Sequence, residues 1–484
     1  MQAKRIILEE NFPASELEGF ADFIEKHFLA LNLRVFENRN YRKRTNNDEI
    51  EFSWILRVPK HRGIEPLEYS LLPVTFTLGP NSIGLEAPSI DLSDRAVLDL
   101  YSKLTAELQN MTWEYLNHIK LTSLYFVIGG NPEEKSTQQH PALRKIFVGN
   151  NTNLFLITML LSFVFFFAFG LYTPIILVAM QFPLVLFSDK IMLQSGEVKP
   201  NEQFPLVTVI SVRTNEETLR SLGGSLKSII EKAKVEIRRD NLESRYDLDR
   251  ASAKSRIRKI LNENGIPCTE DEIEIETKNI HRIVQDAALR FKMAAPKIVM
   301  VETPVSNAAA TGISKRRSSI MITAGSFEDL SDDELEAVIG HEFGHVRGRD
   351  PLILFSVTSF EFLGRFYLWL PLLLYFGFIY LIFAFGLIFF FGKFLETRAD
   401  TFSANEIGTP SLLASSLTKI GYRQLFYENY SSRAKILDWL KFDPHPPIYF
   451  RVRRLSRMDR VILHPFLNAV RDCVSGFFSA LMGR

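Results

Sequence analysis

"SDDELEAVIGHEFGHVRGRDPLILFSV", residues 331–357, sets two histidines four residues apart and then passes, after Asp350, into a long apolar run. The histidine spacing has meaning only on a helix, and the flanking residues supply one. Ser331 followed by Glu334 is a capping box, with the hydroxyl on the third amide and the carboxylate reaching back. Leu330 and Leu335 take the two positions of a hydrophobic staple around it. Leu335, Val338 and Ile339 then recur at helical spacing. On such a helix His341 and His345 share a face with Cβ atoms about 5–6 Å apart, which suits two imidazole nitrogens on one small tetrahedral ion. Glu342 completes H-E-x-x-H: a carboxylate beside the first ligand can reach a metal-bound water and take its proton. The chain has nine histidines in 484 residues, so a surface helix carrying this pattern by chance is the weaker reading.

A catalytic zinc takes three protein ligands and keeps one position open. The third candidate lies in "KFLETRADTFSA", residues 393–404. Glu396 can ligate through one oxygen, and Asp400, one turn later, can accept a hydrogen bond from a ligand histidine and fix its tautomer. The same two residues also read as a charged helix flank at a membrane exit.

Four stretches in this order, "PVSNAAATG" (304–312), "LSDDELEAVIGHEFGHVRGRD" (330–350), "ETRAD" (396–400) and "HPPIYFR" (445–451), resemble the integral-membrane zinc metalloproteases that include the heat-shock protease HtpX and the Ste-type CaaX prenyl proteases. The resemblance covers roughly residues 275–455. It implies a gluzincin-type α+β peptidase with His341, His345 and Glu396 as zinc ligands and Glu342 as general base. It further implies that Asn307 lies on the strand that binds substrate backbone and that His445 and Arg451 face the reacting carbonyl. Residues 1–150 precede the first membrane segment as an extra region.

Composition narrows the class. Fifty-seven Lys and Arg nearly cancel 56 Asp and Glu, so no global basic field points to nucleic acid. Forty phenylalanines cluster in the apolar runs, which points to lipid. Cys268 and Cys473 have no metal or redox spacing and are expected to be free thiols. The N-terminus has no apolar signal core, so export of the first region is not expected. His27, His61, His118 and His140 have no partner at ligand spacing, and His281 and His464 read as structural or incidental.

Along the chain, residues 1–122 read as a soluble α+β domain: helical spacing in "SELEGFADFIEKHFLALN", strands in "EFSWILRV" and "VTFTLGPNSIGLEAP", then a long helix from Ser93. A polar linker spans 129–145. The uncharged run 154–187 exceeds one span and barely makes two, and Gly170 and Pro174 near its middle favour a tight hairpin, with one tilted helix as the alternative. A strand, "PLVTVISV", precedes charged helices that read as a solvated face or a surface near anionic lipid. After Asp350–Pro351, read as helix cap and first turn, the 41 residues from Pro351 to Phe391 are apolar apart from Glu361 and Arg365, which can pair at i,i+4. If His345 and Glu396 meet at one ion, this run crosses the membrane an even number of times. The C-terminal "FLNAVRDCVSGFFSALMGR" reads as a helix on the membrane or on the core.

The expected architecture is therefore a mostly α membrane protein: a soluble α+β domain with linker (1–150), a first transmembrane hairpin (151–188), a peptidase region with the histidine helix (189–350), a second hairpin (351–392) and a C-terminal part carrying the third ligand (393–484). The expected function is Zn2+-dependent endopeptidase action on membrane or misfolded proteins, with protein or peptide substrate and lipid bilayer as partners, no nucleic acid, and the site on the cytoplasmic side. Processing of prenylated peptides and a scaffold with a structural zinc are the rivals. The scaffold reading suffers because closed structural sites usually add a fourth protein ligand, often Cys. A transporter is less favoured, since nearly all ionisable residues lie outside the spans.

Overall fold

The computed structural model describes residues 6–8, 17–25, 36–46, 49–59, 69–79, 82–86, 111–115, 123–130, 164–214, 226–243, 250–421, 424–425, 428, 432–459 and 461–482. The chain divides into two compact units, Met1–Lys120 and Leu121–Arg484.

The first unit holds an antiparallel five-stranded sheet in the order β1-β5-β4-β3-β2, built from β1 (Ile6–Leu8), β2 (Phe36–Asn46), β3 (Glu49–Pro59), β4 (Tyr69–Gly79) and β5 (Ser82–Glu86). Helix α1 (Leu17–Ile24) buries Leu17, Phe20, Ala21 and Ile24, one stripe at helical spacing. Of the long helix expected from Ser93, residues 111–115 are described and are helical; the linker after Gly130 and His27, His61, His118 and His140 lie outside the described residues.

The second unit begins with a strand inside the region 1–150 expected as N-terminal domain and linker. β6 (Leu124–Gly129) pairs antiparallel with β7 (Leu206–Val212), Gly129 opposite Val207, and β7 pairs with β8 (Ile273–Asn279). "LYFVIG" is buried at five of its six positions, so it needs this sheet, and the unit boundary falls before it and not at residue 150. Charged α4 (Leu226–Glu243) and α5 (Arg250–Glu263) follow β7, and α6 (Ile280–Arg290) follows β8. A second sheet, in the order β10-β11-β9, comprises β9 (Lys297–Val301), β10 (Ala308–Ser314) and β11 (Arg317–Thr323), and among the described residues one side of β10 is unpaired. After α7 (Gly325–Asp329) comes α8 (Asp332–Gly348), the histidine helix. Its capping box is formed, and both staple leucines are buried.

Among the described residues, four apolar helices belong to this unit. α2 (Thr173–Leu186) leads into the short α3 (Ser188–Met192). α9 (Asp350–Tyr367) bends by 79° into α10 (Leu370–Phe376), and α11 (Phe378–Ile407) returns as one 30-residue helix. The run expected as a second hairpin thus holds one broken helix pair and one straight helix. Helical residues 164–186 and α11 are each long and apolar enough to cross a membrane. The first stretch is not straight. Gly170 has φ +52°, and Thr173 donates its hydroxyl to the carbonyl of Phe165 at 2.9 Å; on a straight helix eight residues span about 12 Å. The chain turns sharply where Gly170 and Pro174 signalled a turn, although residues 154–163 lie outside the described ones. Phe182 on α2 meets Phe355 on α9, and Tyr367 at the far end of α9 donates to the carbonyl of Leu171, so the two helices run antiparallel.

The remaining helices are α12 (Pro410–Ile420), α13 (Ser432–Leu440), α14 (Ile448–Leu455) and α15 (Pro465–Leu481). The main core joins α6, α8 and both sheets, with Phe291 edge-on to Phe343. Cys268 and Cys473 are free.

Candidate metal centre

α8 and α11 cross closely because Gly340 and Gly344 face the contact. A Cβ on Gly344 would stand 2.8 Å from the Cα of Ala399, and one on Gly340 would stand 2.8 Å from Ile407. This approach carries Glu396 to the two histidines. Nε2 of His341 and Nε2 of His345 are 3.2 Å apart, and the Glu396 oxygens lie 3.4 and 3.3 Å from them. Donors bound at 2.0–2.1 Å to a tetrahedral ion stand about 3.3 Å from one another, so the triangle has the size such an ion needs. Oε2 of Glu396 is also buried without a hydrogen-bond partner, as an oxygen reserved for a cation would be. His341, His345 and Glu396 are the group among the described residues whose donor atoms converge in this way.

Each histidine is gripped from behind. Nδ1 of His341 lies 2.9 Å from Asp400, and Nδ1 of His345 lies 2.8 Å from Asp350. Burial disfavours charge on both rings, but the nearby carboxylates of Asp400 and Glu396 hold the pKa of His341 above the ordinary value, and Glu396 does so for His345. The site thus favours positive charge at these nitrogens, which a cation supplies.

Asp350 was expected to cap the helix after α8. It is instead the first residue of α9, and Arg349, with φ +54°, makes the break. That left-handed residue turns the Asp350 carboxylate back to His345 and to Arg398, which also donates to it. Asp350 follows His345 by five positions, off the helix face, so spacing gave no signal for the contact.

Glu342 is half-buried, and its carboxylate accepts the backbone N–H of Ala310 on β10 at 2.9 Å. Asn307 precedes β10. Its own N–H and carbonyl are taken up by Thr323 and Ser326, while its side chain is exposed. The backbone groups on the unpaired edge therefore belong to Ala308, Ala310 and Gly312, not to Asn307.

Arg451 on α14 is buried and makes a two-point contact with Asp400, at 2.9 and 2.7 Å, while its Nη1 lies 3.7 Å from Glu396. Against burial, Asp400 holds this guanidinium well above its ordinary pKa. His445 is exposed, with Nε2 3.6 Å from Glu396 and Nδ1 2.7 Å from Asp443. Lys393, one turn before Glu396, donates to the carbonyls of Lys441 and Asp443 and so ties the His445 loop to α11. Neither Lys393 nor Asp443 carried a sequence signal. The Glu361–Arg365 pair forms within α9, with Tyr380 donating to Glu361 at 2.9 Å, and Glu361 is not among the converging donors. His281 lies on α6, away from the donor triangle.

Residues 274–459 match the family described as Peptidase family M48. The chain is similar to a "Protease HtpX homolog" of Moorella thermoacetica, 30% identical over 165 residues, which are 30% of this chain and 55% of that protein. It is similar to "Protease HtpX homolog 2" of Methanosarcina mazei, 28% identical over 223 residues, 39% of this chain and 74% of that protein. To a "Protease HtpX homolog" of Pyrococcus furiosus it is 41% identical over 80 residues, 16% of this chain and 28% of that protein. The chain thus spans about half of the first relative and about three quarters of the second. No solved structure matches.

Proposed function

We propose, from the premise that residues 274–459 belong to peptidase family M48, that the chain is a membrane-embedded zinc endopeptidase. The observation that carries this reading is the donor triangle of His341, His345 and Glu396 with the Glu342 carboxylate beside it, at the unpaired edge of β10. When bound, zinc polarises the scissile carbonyl and lowers the pKa of a water toward neutrality. Glu342 takes the proton of the attacking water and delivers it to the leaving amine. His445, exposed and steadied by Asp443, is placed to donate to the carbonyl oxygen as negative charge develops there. Arg451, with its fork committed to Asp400, acts mainly by holding the carboxylate that orients His341. Substrate lies extended along Ala308, Ala310 and Gly312, whose small side chains admit a second backbone.

The topology supports a site at the membrane surface. His345 and Glu396 meet, so both ends of the second apolar run lie on one side. β6 and β7 pair across the first run, so its two ends also lie on one side. Lys190, Arg347, Arg349 and Lys393 flank the runs on that side, which favours the cytoplasm. A site at the base of a helical hairpin receives chains leaving the bilayer, and we place misfolded membrane proteins first among its substrates.

The test uses Glu342→Gln in the full chain, with an unfolded reporter protein as substrate and metal content measured in parallel. Zinc content should stay at the parent level while cleavage falls by roughly 10²–10⁴-fold. Near-parent turnover at full occupancy assigns the base elsewhere. Zinc-independent cleavage by the parent overturns the reading altogether.

A further inference from the structure

α15 presents a face that nothing among the described residues covers. Leu467, Val474, Phe478 and Leu481, spaced by seven, four and three residues, form one stripe and are 66, 37, 49 and 59% exposed. The opposite face, through Ala469, Cys473 and Ala480, is buried. The helix sits at the base of the second apolar run: Phe466 meets Phe391 at 6.4 Å, and Phe477 meets Phe390 at 5.6 Å. The stripe therefore continues the apolar exterior of α11 at the level where that helix enters the protein.

Beside the stripe, a groove between α14 and α15 is lined by Arg453, Arg454, Arg457, Asp472, Ser475 and Ser479. Arg454 is committed to Asp472 and Thr401, at 2.9 and 2.8 Å. Arg453 and Arg457 are exposed and make no ion pair among the described residues. Two uncommitted guanidiniums with serine hydroxyls opposite them match a phosphate, because the planar fork fits phosphate oxygens. A helix with an apolar face toward acyl chains and arginines at its flank fits the membrane interface.

We propose that α15 lies in the bilayer interface, with Leu467, Val474, Phe478 and Leu481 among acyl chains and Arg453 and Arg457 on the phosphate of an anionic phospholipid. Lipid is favoured over a protein partner by continuity with the hairpin and by the charge beside the stripe. The inference rests on the membrane placement and not on the peptidase reading. Such a contact would seat the donor triangle at a fixed height, since α14 also carries Arg451.

The full chain, reconstituted in phosphatidylcholine vesicles containing phosphatidylglycerol, is irradiated with traces of photoactivatable phosphatidylglycerol or phosphatidylcholine, and labelled peptides are mapped. Both probes should label the stripe. The anionic probe should be preferred over residues 453–481, by up to roughly thirtyfold for two arginines. Arg453→Gln with Arg457→Gln should abolish that preference and leave labelling of residues 378–391 unchanged. Leu467→Gln with Phe478→Gln should reduce labelling of α15 by both probes. Excess inorganic phosphate should not compete; competition would make the groove a site for free phosphate and overturn the lipid assignment. Equal labelling by both probes in the parent overturns the headgroup site. An unlabelled stripe beside a labelled hairpin means that a protein covers the stripe, and overturns the proposal. An unlabelled hairpin removes the membrane placement and the proposal with it, while reporter cleavage in the same vesicles reads the peptidase assignment separately.

Discussion

His341 and His345 are held by different logic although they look alike in sequence. Asp400, behind His341, sits one turn after Glu396 on a continuous helix and could be read from spacing. Asp350, behind His345, reaches its ring only because Arg349 adopts a left-handed conformation, which a non-glycine residue seldom takes and no pattern announces. Asp350→Asn should thus lower zinc affinity by about 10–100-fold, the usual effect of losing a carboxylate behind a ligand histidine. A chelator competition measures it, with thermal unfolding as the control for the contact to Arg398. Unchanged affinity would show that the ring needs no such orientation. Glu396 is tested by the same titration: Glu396→Ala should strip the metal, whereas Glu361→Ala should keep it, since Glu361 pairs with Arg365 inside α9. Equal metal content in both variants removes Glu396 from the site. For His445, the motif told which residue to watch, but not that Lys393 and Asp443 hold its loop.

At the scale of elements, α8 was legible throughout, because cap, staple, periodicity and ligand spacing all agree. The bend between α9 and α10 was not, since a uniformly apolar run gives lipid no preferred face and so leaves no periodicity to read. The fit of α4 onto the unit was equally hidden, for its charges read as a solvated face. In the fold Lys234 is buried and joins Glu197 at 3.1 Å and Glu302, tying α4 to the segment before β7 and to the end of β9. Burial, and next the neighbouring Glu197, push the Glu302 carboxyl from 4.5 up to about 8, with Lys234 opposing the shift. A carboxyl raised on folding contributes stability that is complete below its unfolded value and is lost as pH rises through the folded one. Stability should therefore decline between about pH 4.5 and pH 8. Lys234→Met leaves the two carboxylates without their cation and should cost roughly 3–5 kcal/mol, more at the alkaline end of that window. Thermal unfolding across pH reads both; an equal loss at both ends would sink the assignment.

For the whole molecule, the sequence carried the order of parts better than their boundaries. Residues 124–129 and the strand after the first apolar run fall in separate expected regions, 1–150 and 189–350, because pairing between distant strands leaves no local trace. Their pairing is what decides the topology. Gly129 stands opposite Val207 in one sheet, so a membrane excursion between them, if the first apolar run makes one, begins and ends on one side. The contact of His345 with Glu396 imposes the same condition on the run from Pro351 to Phe391. Gly170 and Gly377, both with φ near +50°, turn the chain within the two apolar runs. The expectation is one side for all loops that join the sheets and the metal centre, and the other side for the tips. Single cysteines introduced at Asn201, Arg316 and Thr409, each exposed, and at Lys135, which lies outside the described residues, should react with an impermeant maleimide from the same side of sealed vesicles. Tyr375→Cys, at a residue 84% exposed near the tip, should react only from the opposite side. The natural Cys268 is first replaced by Ser, while Cys473 is buried and shielded. Opposite labelling at Lys135 and Asn201 would break the β6–β7 pairing and leave a single crossing. Opposite labelling at Arg316 and Thr409 would separate Glu342 from Glu396, and with them the metal centre.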